Sequence, residues 1–143
     1  MTTLVLDASV AIKWALPSPQ EDLTTESVHL LSRYLASEID FIVPDVFWAE
    51  IENILWKGVK RKRWPRTDAE QIAAEFKARE FQTIPSQILM IEALKLACTY
   101  ERSIYDCLYV ALAVESHSQL ITADERLVNS MATHFPVKWL GAF

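Results

Sequence analysis

The chain has 143 residues, 51% of them hydrophobic and 23% charged, with a formal net charge of −5. That length suits one domain spanning residues 1–143, and the apolar fraction excludes a disordered chain. No apolar run approaches the roughly 18 residues of a membrane-spanning helix, and the start MTTLVLDASV lacks leader-peptide signals, so a soluble cytoplasmic protein with no membrane attachment is expected.

In chain order, residues 3–6 form a short strand ending at Asp7, and residues 9–16 a helix stopped by Pro17. Residues 17–22 are a loop, and 23–38 a loosely periodic helix. Residues 41–43 are a second strand cut by Pro44, followed by a long helix over about 45–62. Thr67-Asp68-Ala69-Glu70 matches a capping box and opens a helix to about 79. Residues 81–84 form a third strand broken at Pro85, and helices over 86–100 and 104–116 are separated near Arg102-Ser103. Residues 119–122 are a strand ending at Ala123-Asp124, 125–132 a helix, and 137–140 a last strand. The alternation predicts an α/β fold: a mostly parallel central sheet flanked by helices.

Some chemistries are excluded at once. Gly58 and Gly141 are the only glycines, so neither a dinucleotide-binding fingerprint nor a phosphate-cradling P-loop exists. Cys98 and Cys107 lack metal-ligand spacing and fit a reducing compartment. The three histidines are scattered, so a zinc site is not expected.

Four carboxylates stand out from the nineteen acids. Asp7 and Asp124 each follow a strand, where α/β sheets bind ligands, although an aspartate there is also a good helix N-cap. Asp106 is the only charge in IYDCLYVALAV. It either faces a site or completes a capping box by reaching back to the Ser103 amide, and one carboxylate has oxygens for both. Glu50 begins a polar stripe with Asn53, Lys57 and Lys60 beside the apolar arc of the long helix; the plain alternative is a solvated face. Carboxylates brought together either keep protons or bind a hard cation such as Mg²⁺ or Mn²⁺, which suits phosphodiester hydrolysis. With no side-chain nucleophile evident, water is the expected attacking group.

The segment KGVKRKRWPR holds Lys57, Lys60, Arg61, Lys62, Arg63 and Arg66 and no acid, a local charge of +6. Eight basic and nineteen acidic residues elsewhere leave −11. Such a division favours docking a polyanion at one place, and Trp56 and Trp64 beside it are candidates for stacking on bases. Complementing the helix dipole explains part of the charge, but six basic residues exceed that need.

Taken together, LVLDASVAIKW, VPDVFWAEIENIL, SIYDCLYVALA and LITADERLV resemble the PIN-domain nucleases, most closely the VapC-type toxins of toxin–antitoxin pairs. The resemblance implies a metal-dependent ribonuclease whose acidic pocket is Asp7, Glu50, Asp106 and Asp124. It implies that Ser9, Asn53 and Thr122 orient carboxylates or solvent, and that RNA, a cognate antitoxin and a second copy of the chain are partners. Leu127 departs from the pattern, since many relatives carry an aromatic there.

Two other functions compete. A non-catalytic RNA-binding module would bind without metal. An aspartate-based phosphatase or phosphotransferase would use Asp7 as nucleophile, but Ser9 stands where that chemistry usually places a second aspartate. For a protein partner, Trp14, Ala15 and Leu16 with Leu30, Leu31, Tyr34 and Leu35 offer an apolar groove, unless they simply cover the sheet. A partner's arginine would suit the acidic pocket beside it.

Overall fold

The computed structural model describes residues 1–16 and 22–143. β1 (Thr2–Leu6) carries Leu4, Val5 and Leu6, all buried. A side chain buried on each face of a strand marks a sheet covered on both sides. β1 pairs in parallel with β2 (Ile39–Pro44) on one edge and with β4 (Gln119–Thr122) on the other. β3 (Gln82–Ile84) extends the sheet beyond β2, and β5 (Val137–Trp139) beyond β4. The order is β3-β2-β1-β4-β5, with every pairing parallel. The chain therefore works outward from β1 to β3 and then restarts on the other side of β1. That reversal opens a crevice between the carboxyl ends of β1 and β4, where this class of sheet binds ligands.

The helices are α1 (Ala8–Ala11), continued by a 3₁₀ turn at Ile12–Trp14, α2 (Thr24–Leu35), α3 (Val46–Lys60), α4 (Arg66–Lys77), α5 (Ser86–Tyr100), α6 (Ile104–Glu115) and α7 (Glu125–Met131). α6 lies against β1, β2 and β4 and is buried without interruption from Cys107 to Ala113. Its sequence is apolar all round because it is a core helix. Among the described residues, no helix is long and apolar enough to cross a membrane.

Most expected elements stand within two residues of their positions, and the prolines explain much of that. Pro44 ends β2, and Pro65 and Pro85 sit at the N-caps of α4 and α5. The loop expected over 17–22 falls, apart from Asp22, outside the described residues. The capping box at Thr67 does not form. α4 starts earlier, at Arg66, and Glu70 accepts from Arg66 Nε at 2.6 Å instead of serving as a cap. The scarcity of glycine has a backbone consequence. Ser37, Lys62, Glu80, Glu101 and His117 each take positive φ (52° to 60°) just after a helix. This left-handed position normally falls to glycine, and each such residue carries roughly 1 kcal/mol of strain.

The apolar groove expected for a partner is filled from within. Trp14 packs tilted against Phe41 and stacks on Phe76, and its indole N–H donates to the Ser27 carbonyl at 2.9 Å. Tyr34 packs on Phe41 and Phe81, and Leu16 and Leu30 are buried. These side chains cover the sheet, and only Leu35 of the set is exposed.

Candidate active site

Asp7 leaves the end of β1, and the register that pairs Leu6 with Ile121 sets it beside Thr122. Its backbone N–H donates to the Ile121 carbonyl at 3.2 Å. Asp7 stands at the N-cap of α1, yet its side chain makes no capping bond. Its Oδ2 instead accepts the Thr122 hydroxyl at 2.6 Å and the Ser9 hydroxyl at 2.8 Å. Thr122 also accepts the Asp124 N–H, and Ser9 the Ala123 N–H, both at 3.1 Å. The two hydroxyls thus tie the β1 and β4 ends to one carboxylate. Asp7 is 8% exposed. Burial raises its pKa above the ordinary carboxylate value; the Thr122 and Ser9 bonds oppose this, and the Asp106 charge adds to it.

Asp124 caps and faces the crevice at once. Oδ1 accepts the Arg126 and Leu127 N–H groups at 2.9 and 3.4 Å, leaving Oδ2 directed elsewhere. Only half of the box at Ser103 forms. The Asp106 N–H donates to Ser103 Oγ at 3.1 Å, but the Asp106 carboxylate turns away from the Ser103 amide toward Arg102. Glu50 enters from α3. Its Oε1 is buried without a hydrogen-bond partner. Burial, reinforced by the charges of Asp7 and Asp106, pushes the carboxyl up to about 7.

Two further residues shape the pocket. Arg102 Nη2 donates to Asp106 Oδ2 at 3.0 Å and to Asp124 Oδ2 at 3.4 Å. Tyr109, one helical turn beyond Asp106, sends a buried hydroxyl toward Glu50, where it makes no bond of normal geometry. Burial, then the Asp7 and Glu50 charges, raise its pKa, so the phenol stays neutral. The clues available in sequence were a basic residue one turn before Asp106 and a second tyrosine one turn after Tyr105, within an aliphatic stretch; neither indicates direction without the fold.

The four expected carboxylates therefore share one crevice, with Ser9 and Thr122 bonded among them. Asn53 is exposed and forms no side-chain hydrogen bond to the group among the described residues. No three acidic, histidine or cysteine side chains among the described residues stand close enough to grip one ion in this arrangement. The donor set nonetheless suits a hard divalent cation. It is all oxygen, it includes the orphaned Glu50 Oε1, and it holds two carboxyls whose protonation is favoured by burial and mutual charge.

The profile of the PIN domain matches residues 4–130. The chain belongs to the PIN domain family. No curated protein matches it. Among solved structures it is similar to PAE2754 from Pyrobaculum aerophilum, with a TM-score of 0.71 and 18% identity over 99% of this chain and 85% of that one. It is also similar to a toxin–antitoxin complex from Klebsiella pneumoniae (TM-score 0.64, 16% identity, 94% and 95% covered). A third is VapC20 of Mycobacterium tuberculosis, described as a sarcin-ricin loop cleaving toxin (0.65, 14%, 92% and 95%). At these identities the likeness is one of fold. In this PIN fold the matched span contains all four carboxylates.

The basic segment lies along and beyond the last turn of α3. Glu50, Lys57 and Lys60 follow the same side of the helix, with Lys57 about 10 Å and Lys60 about 15 Å from Glu50 along the axis. All six basic side chains are exposed, and only Arg66 pairs with a carboxylate among the described residues. Trp56 is 56% exposed, with Lys60 Nζ 5.1 Å from its ring centre. Trp64 does not suit base stacking. Its indole N–H donates to the Leu55 carbonyl at 3.1 Å, and its ring covers Gly58.

Proposed function

We propose that the chain is one nuclease domain, an endoribonuclease that hydrolyses RNA with Mg²⁺ or Mn²⁺ and serves as the toxin of a type II toxin–antitoxin pair. The convergence of Asp7, Glu50, Asp106 and Asp124 on the β1–β4 crevice carries this reading. Asp7, Asp106 and Asp124 would hold the ion, and Glu50 a second ion or the attacking water. A divalent ion there supplies the charge that activates water and offsets the negative charge building on the phosphate. Ser9 and Thr122 fix Asp7, and Asp124 is fixed through Oδ1, so both carboxylates are oriented before substrate arrives. The exposed Lys57, Lys60, Arg61, Lys62, Arg63 and Arg66 would track the RNA backbone outside the crevice.

The toxin assignment draws on the fold shared with VapC20 and with the Klebsiella toxin–antitoxin complex. It brings with it a cognate antitoxin and a cytoplasmic site of action. A homodimer fits the outer side of α5, where Ile88, Met90, Ile91 and Leu94 are 53% to 66% exposed on one continuous arc. A phosphotransferase centred on Asp7 is disfavoured, because that carboxyl is buried and its Oδ2 already holds two hydroxyls.

Labelled RNA incubated with the protein, with and without Mg²⁺, tests the reading. Cleavage should require the metal and be lost in Asp106→Asn while the variant stays folded. RNA retained without cleavage in Mg²⁺ and Mn²⁺ would leave a binding module. Cleavage that persists in folded Asp106→Asn would return Asp106 to a capping role.

A further inference from the structure

The crevice already contains a cation. We infer that Arg102 is a tethered counter-ion competing with the divalent ion for Asp106 and Asp124, so that metal enters by exchange with this side chain. The inference rests on the metal-dependent reading above and adds a residue to it.

The backbone delivers Arg102 to this place. Glu101, at φ 55° and ψ 39°, ends α5 in the left-handed region, and the extended Ser103 caps α6. Arg102 is the single residue between two fixed turns. Its Nη2 serves both Asp106 Oδ2 and Asp124 Oδ2. Neither oxygen is committed to backbone capping, and both would be wanted by an ion.

The same geometry makes the arginine replaceable. A structural arginine pairs through its fork, with two parallel N–H donors on one carboxylate. Here one nitrogen is shared between two carboxylates, the second contact is long at 3.4 Å, and Nε is buried without a partner. The side chains of Arg102, Asp106 and Asp124 are 21%, 29% and 38% exposed, so water reaches the pairs and the guanidinium has a route out. A single positive charge neutralises part of the acidic crevice; a doubly charged ion of smaller radius neutralises more. Exchange also fits the spacing of the four carboxylates in the crevice, no three of them within gripping distance of one ion among the described residues, since Arg102 stands between two of them.

The consequence is a metal affinity set partly by Arg102. Two partly exposed ion pairs must be given up on loading, together worth about a tenfold change in Kd. Calorimetric titration of Mn²⁺ into EDTA-treated wild type, Arg102→Gln and Arg102→Lys should show Kd tightened about tenfold in Arg102→Gln, with Arg102→Lys between the two. The EDTA-treated Arg102→Gln protein should melt lower than wild type and gain more from added Mn²⁺. In wild type, side-chain NMR should move the Arg102 Nε–H signal toward that of a free arginine as Mg²⁺ is added, a readout that does not depend on any variant folding. Equal or weaker Mn²⁺ binding by folded Arg102→Gln, or an Arg102 signal unmoved at saturating Mg²⁺, overturns the exchange. If wild type and variant both fail to bind Mn²⁺, the metal-dependent reading fails, and the exchange falls with it.

Discussion

Replacing Glu50 by glutamine should stabilise the EDTA-treated protein at high pH and leave it unchanged at low pH. The Glu50 carboxyl rises from an ordinary 4.5 to about 7 on folding, first through burial and then through repulsion from Asp7 and Asp106. Between those two values the folded chain keeps a proton that the unfolded chain has released. Stability contributed by the protonated carboxyl is therefore complete below pH 4.5 and lost as pH rises through about 7. Glutamine does not titrate, so the variant avoids that loss. The full shift corresponds to about 3 kcal/mol. Glu50 is only half-buried, and solvent screening reduces the expected gain to about 1–2 kcal/mol. Urea denaturation in EDTA should give the same midpoint for both proteins near pH 4.5, and a midpoint higher by about 0.5–1 M for the variant at pH 8. Saturating Mn²⁺ should shrink or reverse that gap, because an ionised Glu50 then gains a partner. A midpoint difference that is the same at both pH values would refute the account of a strained, half-buried carboxyl.

Thr122→Val removes the 2.6 Å bond to Asp7 and the acceptor of the Asp124 N–H. It should cost about 2–4 kcal/mol in urea unfolding. The loss should grow as pH rises, because the raised Asp7 pKa climbs further when this opposing bond is removed. Gly58→Ala would set a Cβ 1.8 Å from the Trp64 ring. The helix-propensity gain of about 1 kcal/mol should be outweighed by a packing loss of about 1–3 kcal/mol, seen as a lower Tm and altered Trp fluorescence. Reversing Lys60, Arg61 and Arg63 to glutamate should weaken RNA retention on filters. It should also flatten the log–log salt dependence by about 2 if all three touch phosphates; an unchanged slope would place the RNA path elsewhere.

Three of the four carboxylates stood out because each interrupts a pattern, while Glu50 read equally well as part of a solvated stripe. Asp7 and Asp124 end apolar strands, and Asp106 is the one charge in an apolar helix. The reading of Asp106 as cap or pocket residue had to wait for the fold. The backbone N–H of Asp106 satisfies the Ser103 hydroxyl, while its carboxylate answers the Arg102 charge. Arg102 marked only a break between helices, since its direction is fixed by the left-handed turn at Glu101, a conformation that glutamate does not advertise. Trp64 invited a surface role through its basic neighbours, yet the bare flank of Gly58 accepts its ring. Of the two readings of Trp14 and Tyr34, groove or sheet cover, the second holds for a related reason. Aromatic residues on two consecutive helices meet inside when Phe41, Phe76 and Phe81 wait on the other side.

The distance along the chain between Asp7 and Thr122 gives the protein a timetable. The two residues are 115 positions apart, and the hydroxyl of the later one holds the carboxylate of the earlier. At about 5–20 residues per second, a ribosome takes roughly 6–23 s to add that interval. Throughout it, β1 lacks its neighbour β4, and the crevice has only one wall. A nascent chain that already carries Asp7, Glu50 and Asp106 still cannot assemble the pocket. For a protein proposed to cut RNA, that order of synthesis withholds activity until the residues of β4 have been made.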